Sequence, residues 1–257
     1  MNKNQYPPAV LIAALVLSIA TASLHLSAQS SLPATPTGGQ AGSTQNSAPV
    51  GTLAHRVDAF AEEDKLNPPA SGGIVFVGSS IFDNWKTVTQ DMAPMPVLNR
   101  AIGGTVTKDQ LQYVNQLTLK YKPRVVVYYC GSNDINNDLT AEEIFNNFRA
   151  FVEAVAAELP KSKVIFVSIN RAPQKKARWN VVDETNAQVK AYAGEGDRVM
   201  YVDVNPALFD SNGDPRLDLY LADQLHFKPA GYIEFTRIIK PVLQAVWSQV
   251  ISVPSVQ

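Results

Sequence analysis

Apolar residues along this chain fall into two recurring patterns. The first is a short unbroken run closed by small or polar residues: Ile74–Val77 ending at Gly78, Pro123–Tyr129 (PRVVVYY), Lys163–Ser168 (KVIFVS) and Val199–Val202. Continuous β-branched and aromatic runs of this length predict strands buried on both faces, as in a parallel sheet. Pro96–Asn99 reads as one more short strand. The second pattern has the spacing of an amphipathic helix. It covers Thr52–Leu66, with Leu53, Val57, Phe60 and Ala61 on one side and Asn67-Pro68-Pro69 as a stop. It returns in Lys108–Gln116, in Thr140–Leu159 with Thr140 and Glu143 as a capping pair, in Ala177–Ala193, and in Pro229–Ser248 with Pro229 in the first turn. Ile81–Gln90, around Trp85, predicts a short helix or an irregular turn.

Strands and helices alternate through short connections. That order predicts an α/β fold with a parallel central sheet. Right-handed crossovers would bring every strand's carboxyl end to one edge, where open α/β sheets bind ligands. Three of those ends carry Ser80, Gly104 and Asn133.

The first fifty residues follow neither pattern. Lys3 precedes an apolar segment, Ala9–Ala20, of secretory h-region length, and small residues follow it. This predicts a signal peptide over residues 1–28, cleaved after Ala28, with Ala20-Thr21-Ala22 as a second cleavage point. The competing reading is an uncleaved membrane anchor. Residues 29–50 are rich in Ser, Thr, Pro and Gly and predict a flexible linker. Residues 51–257 then form one domain, exported to the periplasm or the extracellular space, with no stable membrane span after cleavage.

Composition narrows the function classes. Of 257 residues, 46% are hydrophobic, enough for one full-sized core. The net charge is −1 and no basic stripe appears, which argues against nucleic acid as a partner. The single cysteine, Cys130, lies in an apolar run and reads as a small hydrophobe. No His/Cys cluster has metal-ligand spacing. The three histidines are His25, His55 and His226. His25 is in the leader and His55 on the first helix, without partner residues. His226 sits in a polar loop before the last helix, three residues after Asp223.

Serine nucleophilic catalysis needs a hydroxyl, a base, a group that orients the base, and donors for the oxyanion. Ser80 offers the hydroxyl, although a serine at a strand-to-helix turn also serves as a plain helix cap. His226 offers the base and Asp223 its orienting carboxylate. The amides of Ser80 and Gly104 and the side chain of Asn133 offer the donors. Ser80 lacks a Gly-x-Ser-x-Gly elbow, which weakens an α/β-hydrolase reading. Arg171 and Trp179, after the fourth strand, are candidates for the substrate pocket, surface packing being the other reading.

Four segments, in order, resemble the four blocks of the SGNH (GDSL-type) hydrolase superfamily: FVGSSIFDNW, LNRAIGGT, YYCGSNDIN and ADQLHFKPAGY. The match runs from about Gly73 to Tyr232. The resemblance implies a three-layer α/β/α flavodoxin-like sandwich and ester hydrolysis through an acyl-serine, with no metal and no cofactor. It implies Ser80 as nucleophile, Gly104 and Asn133 as oxyanion donors, and Asp223 with His226 as the last pair. Ser79 stands where the family has Asp, so either Ser79 or Ser80 is the attacking residue, and alignment through Trp85 favours Ser80. The glycine block aligns on Gly103 or Gly104, and the spacing from Asn99 favours Gly104. The expected function is a secreted serine esterase for an acetylated sugar or a short acyl ester. The alternatives are an acyltransferase with the same site and a non-catalytic exported carbohydrate-binding domain.

Overall fold

The computed structural model describes residues 51–252. The predicted leader and linker lie outside the described residues.

Five strands form one sheet in the order β2-β1-β3-β4-β5. They are β1 (Ile74–Gly78), β2 (Val97–Asn99), β3 (Val125–Tyr129), β4 (Lys163–Val167) and β5 (Val199–Val202), and every pairing is parallel. This is the flavodoxin-like order, whose switch point lies between β1 and β3. Helices cover both faces, giving the three-layer α/β/α sandwich.

Alternation along the strands sorts the core into two halves. Phe76, Val127 and Ile165 point to one side, against Phe235, Ile239 and Leu243 of α9 (Pro229–Ser252) and the short helices α2 (Ser80–Asp83) and α3 (Val88–Asp91). Val77, Tyr128 and Phe166 point to the other side, against Phe148, Phe151 and Val152 of α7 (Ala141–Glu158). That layer also holds α1 (Leu53–Leu66), α4 (Thr107–Gln112), α5 (Val114–Leu117) and α8 (Trp179–Ala193). Both faces are apolar because both are covered, so the strands read as unbroken runs. Each fully buried Phe or Ile side chain contributes about 1.5–3 kcal/mol.

Several boundaries differ from the sequence reading. The helix expected over Lys108–Gln116 breaks at Tyr113 into α4 and α5. The one expected from Ala177 starts at Trp179, after a 3-10 segment, Pro173–Arg178. The last helix runs to Ser252 rather than Ser248 and contains Pro241. That proline removes one backbone hydrogen bond, but buried Ile239, Leu243 and Val246 hold the helix on the sheet across it. A short helix, α6 (Ser132–Asn136), follows β3 directly.

The end of β1 is tightly constrained. Gly78 has φ +139°, and a Cβ there would lie 1.8 Å from the Tyr129 carbonyl oxygen on β3. Only glycine allows this approach, which also seats the Ser79 N–H on that oxygen at 3.0 Å. Gly78→Ala is expected to lose at least about 3 kcal/mol in urea unfolding. A variant as stable as the natural chain would contradict the close approach of β1 and β3.

Candidate active site

Ser80 is the first residue of α2, immediately beyond β1, so its amide has no partner within the helix. Its Oγ lies 2.8 Å from His226 Nε2, across 146 positions of sequence. His226 Nδ1 lies 2.7 Å from Asp223 Oδ2. A carboxylate only accepts, so Nδ1–H donates to Asp223, and Nε2 is left to accept from the serine hydroxyl. Ser79 is different: it is 1% exposed and its hydroxyl has no partner among the described residues. Of the two serines, Ser80 is the one that reaches the histidine.

The loop that carries His226 is built by its own hydrogen bonds. Leu221 N–H donates to His226 O and Lys228 N–H to Leu219 O, both at 2.8 Å, which closes its neck. Asp223 Oδ1 accepts from the Leu225 and His226 amides, each at 3.0 Å. Partial burial pushes the Asp223 carboxyl up, but the imidazole and the two amides outweigh it and hold the group below its ordinary 3.8. The loop is docked by Tyr232 in the first turns of α9. Its hydroxyl donates to Ile81 O at 3.0 Å, and its ring stacks on Trp85 at 5.4 Å. Trp85 and Ile81 belong to the Ser80 segment, so these contacts bring the two halves of the site together.

The glycine block abuts Ser80. A Cβ on Gly103 would lie 3.1 Å from Asp83 Oδ2, a tight contact, and 3.6 Å from Ser80 Cβ. Gly104 has φ +84°, is exposed, and has nothing within 4 Å of a Cβ position, so its surroundings are open to a ligand atom. The two adjacent glycines thus meet separate demands, close approach at Gly103 and a left-handed turn at Gly104. Asn133, in the first turn of α6, donates one Nδ2 hydrogen to Thr105 O at 2.9 Å, which leaves its second hydrogen for another acceptor. Its neighbour Asp134 is fully buried and accepts from the Thr107 amide at 3.0 Å and from the Thr107 hydroxyl. Burial holds the Asp134 carboxyl above its ordinary value despite those bonds. Asn133 and Asp134 together fasten the glycine loop to α6.

Arg171 and Trp179 sit elsewhere. They line an open pocket of about 530 Å³ together with Asp183, Tyr201, Asp203 and Phe209. It lies by the ends of β4 and β5, and Ser80, Gly104, Asn133, Asp223 and His226 are not in its wall. Arg171 is held by Asp183 through two bonds of 2.5 and 2.7 Å. His55 is exposed at the start of α1, as expected of a surface residue. Cys130 is buried and packs in the core.

Sequence reasoning missed Asp83. Its Oδ2 accepts from the Gly103 amide at 2.8 Å and from Arg56 Nη2 at 3.1 Å, while Lys86 binds Oδ1 at 3.1 Å. Asp83 therefore locks the glycine block to the Ser80 helix. Partial burial raises its carboxyl, but the Gly103 amide and the two cations prevail and keep it below 3.8. The local signal was its place three residues after Ser80, on the same helix face. Arg56, in α1, carried no local signal at all.

With this geometry in place, relatives become informative. The model of the GDSL-like lipase/acylhydrolase family matches residues 76–232. The chain belongs to that family. It is an ester-hydrolysing serine hydrolase. It is 28% identical over 211 residues to human platelet-activating factor acetylhydrolase IB subunit alpha1, covering 77% of this chain and 84% of that protein. A GDSL-like lipase of Bacteroides thetaiotaomicron matches with a TM-score of 0.63 at 21% identity, over 75% of this chain and 98% of that one. An acetyl-xylooligosaccharide esterase of Geobacillus matches with a TM-score of 0.54 at 18% identity, over 74% and 98%. At these identities the structural likeness is one of fold.

Asp83→Asn lowers kcat by about tenfold with KM little changed, since a shifted Gly103 misaligns the neighbouring amide. Steady-state kinetics on an aryl acetate check this, and an unchanged kcat would refute it. The stability Asp83 contributes is complete above pH 3.8 and is lost as pH falls through its lowered folded value. Asp223→Asn lowers kcat by about 10²- to 10³-fold. This is less than for a buried triad carboxylate, because the Asp223 side chain is 48% exposed and water can replace part of its role.

Proposed function

We propose that this chain is an exported serine esterase that removes short acyl groups, acetyl above all, from a saccharide. Ser80 is the nucleophile, His226 the general base and Asp223 the group that orients it. The observation that carries the reading is the unbroken run of hydrogen bonds from Ser80 Oγ through His226 to Asp223.

The mechanism uses this chain's own groups. Ser80 Oγ attacks the ester carbonyl while its proton passes to His226 Nε2. Asp223 stabilises the imidazolium and keeps Nδ1 protonated. The developing oxyanion is met by the Ser80 and Gly104 amides and by the free Asn133 hydrogen. His226 returns the proton to the leaving alkoxide, leaving acyl-Ser80 and an alcohol. Water, deprotonated by the same imidazole, then attacks the acyl carbon, and collapse restores Ser80 and releases the acid.

Two features support the saccharide. The pocket of Arg171 and Trp179 joins aromatic surfaces (Trp179, Tyr201, Phe209) to fixed carboxylates (Asp183, Asp203), a mixture suited to a ring with one apolar face and an edge of hydroxyls. It lies two to three strand spacings from the Ser80 strand, roughly 10–15 Å along the sheet edge. That span suits a short oligosaccharide. One solved structure of this fold is also named for acetyl-xylooligosaccharide hydrolysis. Export is supported by Lys3, the apolar segment Ala9–Ala20 and the small residues that follow.

The test compares an aryl acetate, an aryl octanoate and an acetylated xylo-oligosaccharide. We expect fast release from both acetates and slow release from the octanoate. Ser80→Ala loses about 10⁴- to 10⁶-fold in kcat. Trp179→Ala raises KM for the oligosaccharide more than for the aryl acetate. Preference for the octanoate would overturn the short-acyl reading, and an oligosaccharide turned over no better than the aryl acetate would overturn the saccharide.

A further inference from the structure

The segment between β4 and α8 crosses the edge of the sheet beside the site. Three residues of its 3-10 portion, Pro173–Arg178, reach outward from it. Gln174 N–H donates to Gln224 O at 3.2 Å, in the loop between Asp223 and His226. Lys175 Nζ donates to Asn136 Oδ1 at 2.6 Å, one turn beyond Asn133 on α6. Arg178 pairs with Asp138, just past α6. The two anchor points Gln224 and Asp138 are non-glycine residues with positive φ, 56° and 62°. One short segment thus touches both the helix that carries Asn133 and the loop that carries His226.

Lys175 is the unusual member. It is 4% exposed, and among the described residues its amino group has one partner, the neutral amide of Asn136. No carboxylate lies within ion-pair distance among the described residues. Burial pulls its pKa down to about 8. A buried cation without a counter-charge destabilises a fold, and departures of this kind collect at functional sites. α6 has five residues, too few to hold its own position by helix stability. The far end of this helix is where Lys175 takes hold.

We propose that Lys175 is a positioning residue for Asn133: braced against the His226 loop through Gln174, it ties α6 at the separation where one ester carbonyl meets Ser80 and Asn133 together. The proposal rests on the reading of the site given above. It gives the lysine a role in turnover at the expense of stability, the reverse of a purely structural contact.

The experiment uses Lys175→Met, Asn136→Leu, their double variant and Asn136→Asp. It reads thermal unfolding, kcat and KM on an aryl acetate, and the rate at which a fluorophosphonate labels Ser80. Lys175→Met keeps the volume and removes charge and tether. We expect an unchanged or higher Tm, kcat and labelling rate lower by about tenfold or more, and KM within about twofold. Asn136→Leu cuts the same tether and lowers kcat similarly, and the double variant loses no more than either single one. Asn136→Asp supplies a counter-charge, raises Tm and keeps kcat. Unchanged labelling and kcat in Lys175→Met, or additive losses in the double variant, would overturn the tether alone. Should Lys175→Met fail to fold, the two Asn136 variants decide by the same criteria. A natural chain that is folded but never labelled would overturn the reading of the site and the tether with it.

Discussion

Five parallel strands place five carboxyl ends on one edge, and the positions of Ser80, Gly104 and Asn133 follow from that constraint. β1 delivers Ser80, β2 leads into Gly103 and Gly104, and β3 leads into Asn133. The strands supply direction and spacing, while the chemistry rests on the short connections beyond them. Those connections are fixed to one another rather than left free. Asn133 and Asp134 hold the glycine loop, Asp83 holds it from the other side, and Tyr232 docks the His226 loop on the serine segment. Ser80 and His226 meet at 2.8 Å because these tethers remove the freedom that separate loops would have.

The site is also built close to its tolerances. Gly78 lies where any side chain would strike the Tyr129 carbonyl. Asp134 and Lys175 are buried ionisable groups, and among the described residues neither has an ion-pair partner: Asp134 is met by hydrogen-bond donors and Lys175 by a neutral acceptor. Apolar residues at such positions would generally give a more stable fold. Both groups lie near Asn133, which fits a structure that gives up stability to hold one loop geometry.

Much of this was legible in the sequence. Strands buried on both faces leave unbroken apolar runs, so β1, β3, β4 and β5 stood out with nearly their final limits. The capping pair Thr140 and Glu143 marked the start of α7, and both of its reciprocal bonds are present. Asp223 and His226 could be paired because their spacing is local. Tertiary relations were harder to read. Pro241 sits inside α9 because core packing outweighs a local penalty, and the break at Tyr113 has no marker residue. Arg56 and Lys175 act across 27 and 39 positions, distances at which a single sequence carries no pairing signal. Arg171 and Trp179 do lie together on a pocket, but along the sheet edge and not around Ser80.

The central claim is that Ser80 is an activated nucleophile. Intact-mass spectrometry after exposure to a fluorophosphonate tests it most directly, with Ser80→Ala and Ser79→Ala alongside. The account predicts one adduct on the natural chain and on Ser79→Ala, and none on Ser80→Ala. An adduct that persists in Ser80→Ala, or a folded natural chain that takes none, would contradict it.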